Sequence, residues 1–160
     1  MNEFQCGKGR STTMKKMCLS MALLLSLLAT SCGGLRDLSS RPVDDPLAAF
    51  PGRTQVLVYW NVACPYCKQE LAEVEAAHDR WSAMGIVVVA IDVGDPSNDV
   101  LKTVQARGYS FPILSGAGWD DLEARAVPYT VVHVDGRVVG RRTGYASAIE
   151  IENILKGGEL

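Results

Sequence analysis

The sequence predicts an α/β fold, a central mixed β-sheet sandwiched by α-helices, and three observations carry that reading. Strand-like apolar runs alternate with amphipathic segments of helical period along most of the chain. One run, IVVVAID at residues 86–92, is apolar almost throughout, as suits a strand in the centre of a sheet covered on both faces. The last third holds two strand-like runs split by Asp135 and Gly136 and followed by a helical segment, so a hairpin completes the sheet.

Taken in order, QVLVYW at residues 55–60 is short, apolar and β-branched, which predicts a buried strand. Residues 65–84 follow with Cys67, Leu71, Val74, His78 and Trp81 at three- and four-residue spacing, the stripe of an amphipathic helix that Gly85 ends. After the strand at 86–92, a helix is predicted over 98–107 with Gly108 as its stop. FPIL at 111–114 reads as a short strand and 119–125 as one or two helical turns. YTVVHV at 129–134 and RVVGRRT at 137–143 form the hairpin, and a helix over 146–155 covers the sheet.

The composition agrees with a packed domain. Of 160 residues, 48% are hydrophobic and 21% charged, with 16 basic against 18 acidic side chains, a balance that excludes both a disordered chain and a basic nucleic-acid binder. The length suits one folded domain, expected over residues 52–160.

The N-terminal 31 residues read differently. Lys15 and Lys16 precede an apolar run of about 14 residues that ends in small side chains, the layout of a secretory signal and short of the roughly 20 that span a bilayer. Ala29, Thr30, Ser31 and Cys32 resemble a bacterial lipobox, although that pattern prefers Leu where Ala29 stands. The resemblance implies cleavage before Cys32, lipid on its sulfur and anchorage to a membrane of the bacterial cell envelope, inner or outer. Residues 1–13 lie upstream of MKKM at Met14, itself a natural signal start, so an over-early start codon is one reading of them. Cys6 and Cys18 would leave with the signal. Residues 32–51 have the Gly, Ser, Asp, Pro and Arg composition of a flexible linker, and about 18 such residues reach roughly 23 Å.

The chemistry lies in Cys64, Pro65, Tyr66 and Cys67, two thiols one helical turn apart where a buried strand gives way to a helix. A thiol at a helix N-terminus meets unpaired N–H groups and the positive end of the helix dipole, both of which favour thiolate. Pro65 loses no hydrogen bond at the first helical position. Cys64 is therefore the exposed attacking sulfur and Cys67 the resolving one, able to close a reversible disulfide. A structural disulfide does not need this placement, and a zinc site needs two more ligands than the spacing offers, so no metal or other cofactor is expected. His78 and His133 fall within a helical stripe and a strand, where packing is the expected role. Glu70 lies three residues beyond Cys67, on its face of the helix and at the border of the buried stripe. Partial desolvation there would raise its pKa and let it exchange a proton with Cys67; the alternative is an exposed Glu that simply favours the helix start.

At these residues the chain resembles the thioredoxin-like superfamily, and within it the TlpA/ResA-type periplasmic thiol-disulfide oxidoreductases, over about residues 55–155. VLVYWNVACPYCKQE looks like their strand and CXXC helix, including a CXXCKXE pattern that makes Glu70 the matching acid. AVPYTVVHVDGRVVGRRTG looks like their cis-proline loop and hairpin. The resemblance implies that Pro128 follows a cis bond from Val127, leaving Val127 to pair in β fashion with a substrate backbone near Cys64, with Pro65 and Tyr66 on the same substrate-binding surface. Two departures stand out. Val58 occupies the place of the buried Asp of thioredoxins, and Ala63 stands where many relatives have Trp.

The resemblance implies a protein-disulfide reductase acting on exported proteins, for example the haem-binding cysteines of apocytochrome c, and supplied with electrons by a membrane donor of DsbD or CcdA type. One rival reverses the direction, a Dsb-type oxidase or isomerase. Another is a Sco-like Cu(I) metallochaperone using Cys64, Cys67 and His133, although those proteins resemble a CXXXC spacing. A peroxiredoxin is disfavoured because its peroxidatic Cys does not sit in a CXXC pair.

Overall fold

The computed structural model describes residues 35–39 and 41–157. The expected signal segment and Cys32 lie outside them. The sheet has six strands in the order β1-β4-β3-β2-β5-β6. In chain order the elements are β1 (Arg36–Asp37), α1 (Pro46–Ala49), β2 (Thr54–Trp60), α2 (Pro65–Ala83), β3 (Ile86–Val93), α3 (Ser97–Arg107), β4 (Ile113–Ala117), a 3₁₀ turn (Trp119–Asp121), β5 (Tyr129–Val134), β6 (Arg137–Thr143) and α4 (Ala148–Leu155). β2, β3 and β4 run parallel, while β5, β6 and β1 each pair antiparallel with their neighbour, so the sheet is mixed as the sequence predicts.

The two crossovers, β2–α2–β3 and β3–α3–β4, step across the sheet in the same direction, and one hand of crossover then puts both helices on one face. Strand parity sorts the side chains. Val56, Val58 and Trp60 of β2 join Leu71, Val74 and Trp81 of α2, Val100 and Val104 of α3, and Ile151 and Ile154 of α4 in one core. Leu57 of β2, Val89, Ile91 and Val93 of β3, and Tyr129 and Val131 of β5 form a second core on the opposite face. Full burial of each such aliphatic side chain contributes about 1.5–3 kcal/mol, which is what holds α2 and its first turn rigidly on the sheet.

The structure corrects the flexible linker expected over 32–51 at its described residues, 35–39 and 41–51. β1 pairs with β4, placing Arg36 opposite Ser115 and Asp37 opposite Leu114. Asp37 Oδ1 accepts the N–H groups of Ser39 and Arg41, both at 2.9 Å, closing the turn that follows. Leu35, Val43, Leu47 and Phe50 pack against the second core, and the Gln55 amide donates to the carbonyls of Leu47 at 2.9 Å and Phe50 at 2.8 Å. This segment supplies cover because the connection from β4 to β5 holds no long helix: only residues 119–121 of the expected 119–125 are helical.

Other boundaries shift for local reasons. β4 begins at Ile113, after Pro112, and continues to Ala117, while Phe111 turns into the first core. α4 starts at Ala148 because Ser147 caps it, in a capping box with Glu150. The β5–β6 hairpin turns at Asp135 (φ 50°) and Gly136 (φ 73°), the pair of positive angles that a two-residue turn of this hand requires. Gly140 of β6 lets α4 approach: a Cβ there would lie 2.2 Å from Ile154 Cγ2.

Candidate active site

β2, an inner strand, ends at Trp60, and α2 starts at Pro65 after four connecting residues. Cys64 is the N-cap of α2, its backbone extended (φ −78°, ψ 114°), and Pro65 occupies the first helical turn. The Cys64 sulfur accepts the Cys67 N–H at 3.1 Å, one of the donors a helix start leaves open. Cys64 and Cys67 are joined in a disulfide with their Cα atoms 5.3 Å apart. Their environments differ sharply. Cys64 is half-buried, whereas Cys67 is fully enclosed in the first core. A nucleophile from outside therefore meets the Cys64 sulfur first.

Pro65 and Tyr66 are exposed, Tyr66 at 63%. Facing them, the Val127–Pro128 peptide is cis, and the Val127 carbonyl oxygen lies 4.0 Å from the Cys64 sulfur. The Pro128 carbonyl accepts the Gly144 N–H at 2.9 Å, which ties this loop to the end of β6. Residues 64, 65, 66, 127 and 128 thus share one corner of the molecule.

Glu70 lies one turn beyond Cys67 and is fully buried. Thr130 Oγ1 donates to its Oε1, and the Ala146 N–H donates to Oε2 at 2.9 Å. The carboxyl therefore joins α2 to β5 and to the segment leading into α4. Burial pushes its pKa up, the Thr130 and Ala146 hydrogen bonds oppose that shift, and the nearby Glu150 and Glu73 add to it. The exposed-Glu alternative is removed. In the β2–β5 register Thr130 stands opposite Val58, the residue at the place of the buried Asp of thioredoxins. The Glu70 carboxyl thus bonds to the cross-strand neighbour of that position, from another element of the fold.

His133 belongs to the other face. It pairs in register with Gln55 and lines a cavity of about 210 Å³ with Tyr59, Tyr129 and Arg141, on the side of the second core. Cys64 packs against the first core, so the fold does not bring Cys64, Cys67 and His133 together. Among the described residues no group of three or more His, Cys, Asp or Glu side chains could hold a metal ion. His78 meets Ser110 Oγ at 2.9 Å and packs edge-on against Phe111, a structural role.

Sequence reasoning missed several residues that build this corner. Asn61 donates to the Val93 carbonyl at 3.0 Å, accepts the Ala63 N–H at 2.9 Å, and offers its carbonyl to the Cys64 N–H at 3.1 Å. Asp95 Oδ2 accepts the Val62 N–H at 2.5 Å. Asp92, at the inner end of β3, is completely buried, and burial together with the Asp95 carboxyl pushes its pKa up to about 8. A signal for Asn61 and Asp95 was present, since a polar residue directly after a buried strand often holds a turn.

The family model of the AhpC/TSA family matches residues 41–135. Thiol-disulfide oxidoreductase ResA of Halalkalibacterium halodurans is 25% identical over 126 residues, covering 76% of this chain and 70% of that protein. A thioredoxin-family thiol:disulfide interchange protein from Chlorobium tepidum has a similar fold, with a TM-score of 0.62 at 20% identity over 76% of this chain and 88% of that one. So does a secreted Mycobacterium tuberculosis disulfide oxidoreductase homologous to Escherichia coli DsbE, with a TM-score of 0.61 at 22% identity over 76% and 92%. With a half-buried Cys64 bridged to a buried Cys67 at the start of a helix in a thioredoxin-like fold, the chain belongs to the AhpC/TSA family as a thiol-disulfide oxidoreductase.

Proposed function

We propose that the protein works in the bacterial cell envelope, facing the periplasm and tethered by lipid on Cys32, as a reductase of disulfides in exported proteins. The observation that carries the reading is the acid one turn behind the pair: Glu70 is buried on the face of α2 that also buries Cys67, and burial raises its pKa. A carboxylate placed there is the acceptor for the Cys67 proton when the mixed disulfide resolves, and it gives the proton back when the pair is reduced again.

A membrane donor of DsbD or CcdA type supplies two electrons and cleaves the Cys64–Cys67 disulfide. The Cys64 thiolate attacks a substrate disulfide, forming a mixed disulfide and releasing one substrate thiolate. Cys67, its proton passed to Glu70, attacks the Cys64 sulfur, restores the Cys64–Cys67 bond and frees the second thiolate. Val127, beside the Cys64 sulfur at the cis bond to Pro128, is the site for a substrate backbone to pair with, and exposed Pro65 and Tyr66 complete the docking surface. The substrate of this reading is an extended peptide carrying a disulfide, such as the haem-binding cysteines of apocytochrome c. The secretory layout of residues 14–32 and the secreted Mycobacterium tuberculosis relative support the location.

The test is trapping. Reduced Cys67→Ser is mixed with an oxidised apocytochrome c peptide; a mixed disulfide through Cys64 that dithiothreitol releases is expected, with none from Cys64→Ser. Adducts through Cys67 alone, or none at all, contradict the assignment.

A further inference from the structure

The loop that presents Cys64 hangs from the end of β3 at two points. One is the Asn61 amide on the Val93 carbonyl; the other is the Val62 N–H on Asp95. Val62 and Cys64 both pack, partly buried, against the first core, and the Cys64 N–H on the Asn61 carbonyl closes the short turn that holds Val62 between them. Behind Asp95 lies Asp92, whose Oδ2 accepts the Asp95 N–H at 3.3 Å and whose Oδ1 is buried with no partner. A fully enclosed carboxylate lacking a counter-charge is strongly disfavoured, and a neighbouring carboxylate adds to that cost.

The backbone N–H groups of Asp95 and Val93 favour the ionised form, but among the described residues no counter-charge acts on it. From β2, Asp92 faces its register partner Trp60, whose indole nitrogen is itself buried and unpartnered. From α2 the core holds the disulfide partner Cys67. In the first turn of α3, Asp99 is paired with Lys102. The loop after β4 brings the Trp119 indole over Gly94, while Asp120 pairs with Arg125 and Asp121 accepts the Gly118 N–H. Asp95 is the charged group that acts on Asp92.

We propose that a protonated Asp92 holds the Asp95 carboxylate in place and so positions the Cys64 loop, Asp95 being a positioning residue that acts on Cys64 through the Val62 amide. The Asp92 O–H donates to Asp95 and leaves Asp95 Oδ2 free to hold Val62. Loss of the Asp92 proton puts two anions side by side, drives the Asp95 carboxylate outward and releases the Val62 N–H. This inference rests on the reading of Cys64 as the reactive sulfur.

The experiment is alkylation of the reduced full chain by iodoacetamide from pH 6 to 10, in the wild type and in Asp92→Asn, Asp95→Ala and Asp95→Asn, with the alkylated cysteine identified by peptide mass. The wild type is expected to show, besides the thiol titration, a second inflection near pH 8. Asp92→Asn loses that inflection. Asp95→Ala changes the rate at pH 7 about fivefold, the factor set by one hydrogen bond, and Asp95→Asn, whose amide oxygen still accepts from Val62, restores most of it. An inflection that persists in Asp92→Asn, or an Asp95→Ala profile that coincides with the wild type, overturns the proposal. If Asp95→Ala does not fold, Asp92→Asn and Asp95→Asn decide. Alkylation at Cys67 instead of Cys64 would refute the attack order; Val62 amide exchange in the oxidised protein then judges the carboxyl pair by itself, with protection lost above pH 8 in the wild type alone expected and equal profiles overturning it.

Discussion

Replacing Glu70 separates its two roles. In Glu70→Ala the Ala146 N–H and the Thr130 hydroxyl, both in buried surroundings, lose their acceptor. At about 1–3 kcal/mol for each unsatisfied group, the loss is about 2–6 kcal/mol, a large share of a small domain's stability. Glu70→Gln keeps both bonds. Its amide oxygen accepts from Ala146, and the Thr130 hydroxyl, which can serve as either partner, turns to accept from the amide nitrogen. Its stability should stay within about 1 kcal/mol of the wild type at low pH. The wild type, with a raised carboxyl pKa in the folded state, holds a proton that the unfolded chain has already lost, so its stability falls as pH rises from the unfolded toward the folded pKa. Glu70→Gln lacks that decline and gains on the wild type across the same window. The amide cannot take a proton from Cys67, so resolution of the mixed disulfide should slow by about 10²-fold or more. Urea unfolding at several pH values and rapid-quench measurement of mixed-disulfide decay read the two effects. A Glu70→Gln protein as unstable as Glu70→Ala, or one that resolves at the wild-type rate, would refute the reasoning.

Three further outcomes follow from the same structure. Because the folded Asp92 pKa is about 8 against 3.8 for an ordinary carboxyl, the wild type should lose stability between those pH values, by about 4 kcal/mol from pH 4 to pH 7, and Asp92→Asn should flatten that slope; parallel denaturation curves for the two would contradict it. Gly140→Ala drives a methyl into Ile154 and should destabilise by about 1–3 kcal/mol, with Ile154→Ala in the double mutant recovering part of the loss in a thermodynamic cycle. Deleting residues 35–50 uncovers the second core and should lower the urea midpoint, whereas a true linker could be removed without effect.

The parts legible in the sequence were those with local causes. The CPYC helix start, the apolar run of β3 and the Asp135–Gly136 turn each follow from spacing within a few residues, and the structure has all three. β1 and α1 were illegible because Leu35, Val43, Leu47 and Phe50 follow no period and are ordered by a face they cover far along the chain. Glu70 was singled out from its helical face, yet its partners lie 60 and 76 residues away and only the fold brings them near. Asp92 reads in the sequence only as the last residue of the strand at 86–92. The apolar run already places its strand at the centre of the sheet; that the chain returns to set Asp95 beside Asp92 is a contact the run does not encode.

The most direct test of the account is the reduction potential of the Cys64–Cys67 pair in the full chain, measured by equilibration with defined thiol buffers. A dedicated reductase fed by a membrane donor predicts a value near or below about −250 mV, close to that of thioredoxin. A value near about −120 mV, that of a DsbA-like oxidant, would reverse the direction of the reaction and contradict the account.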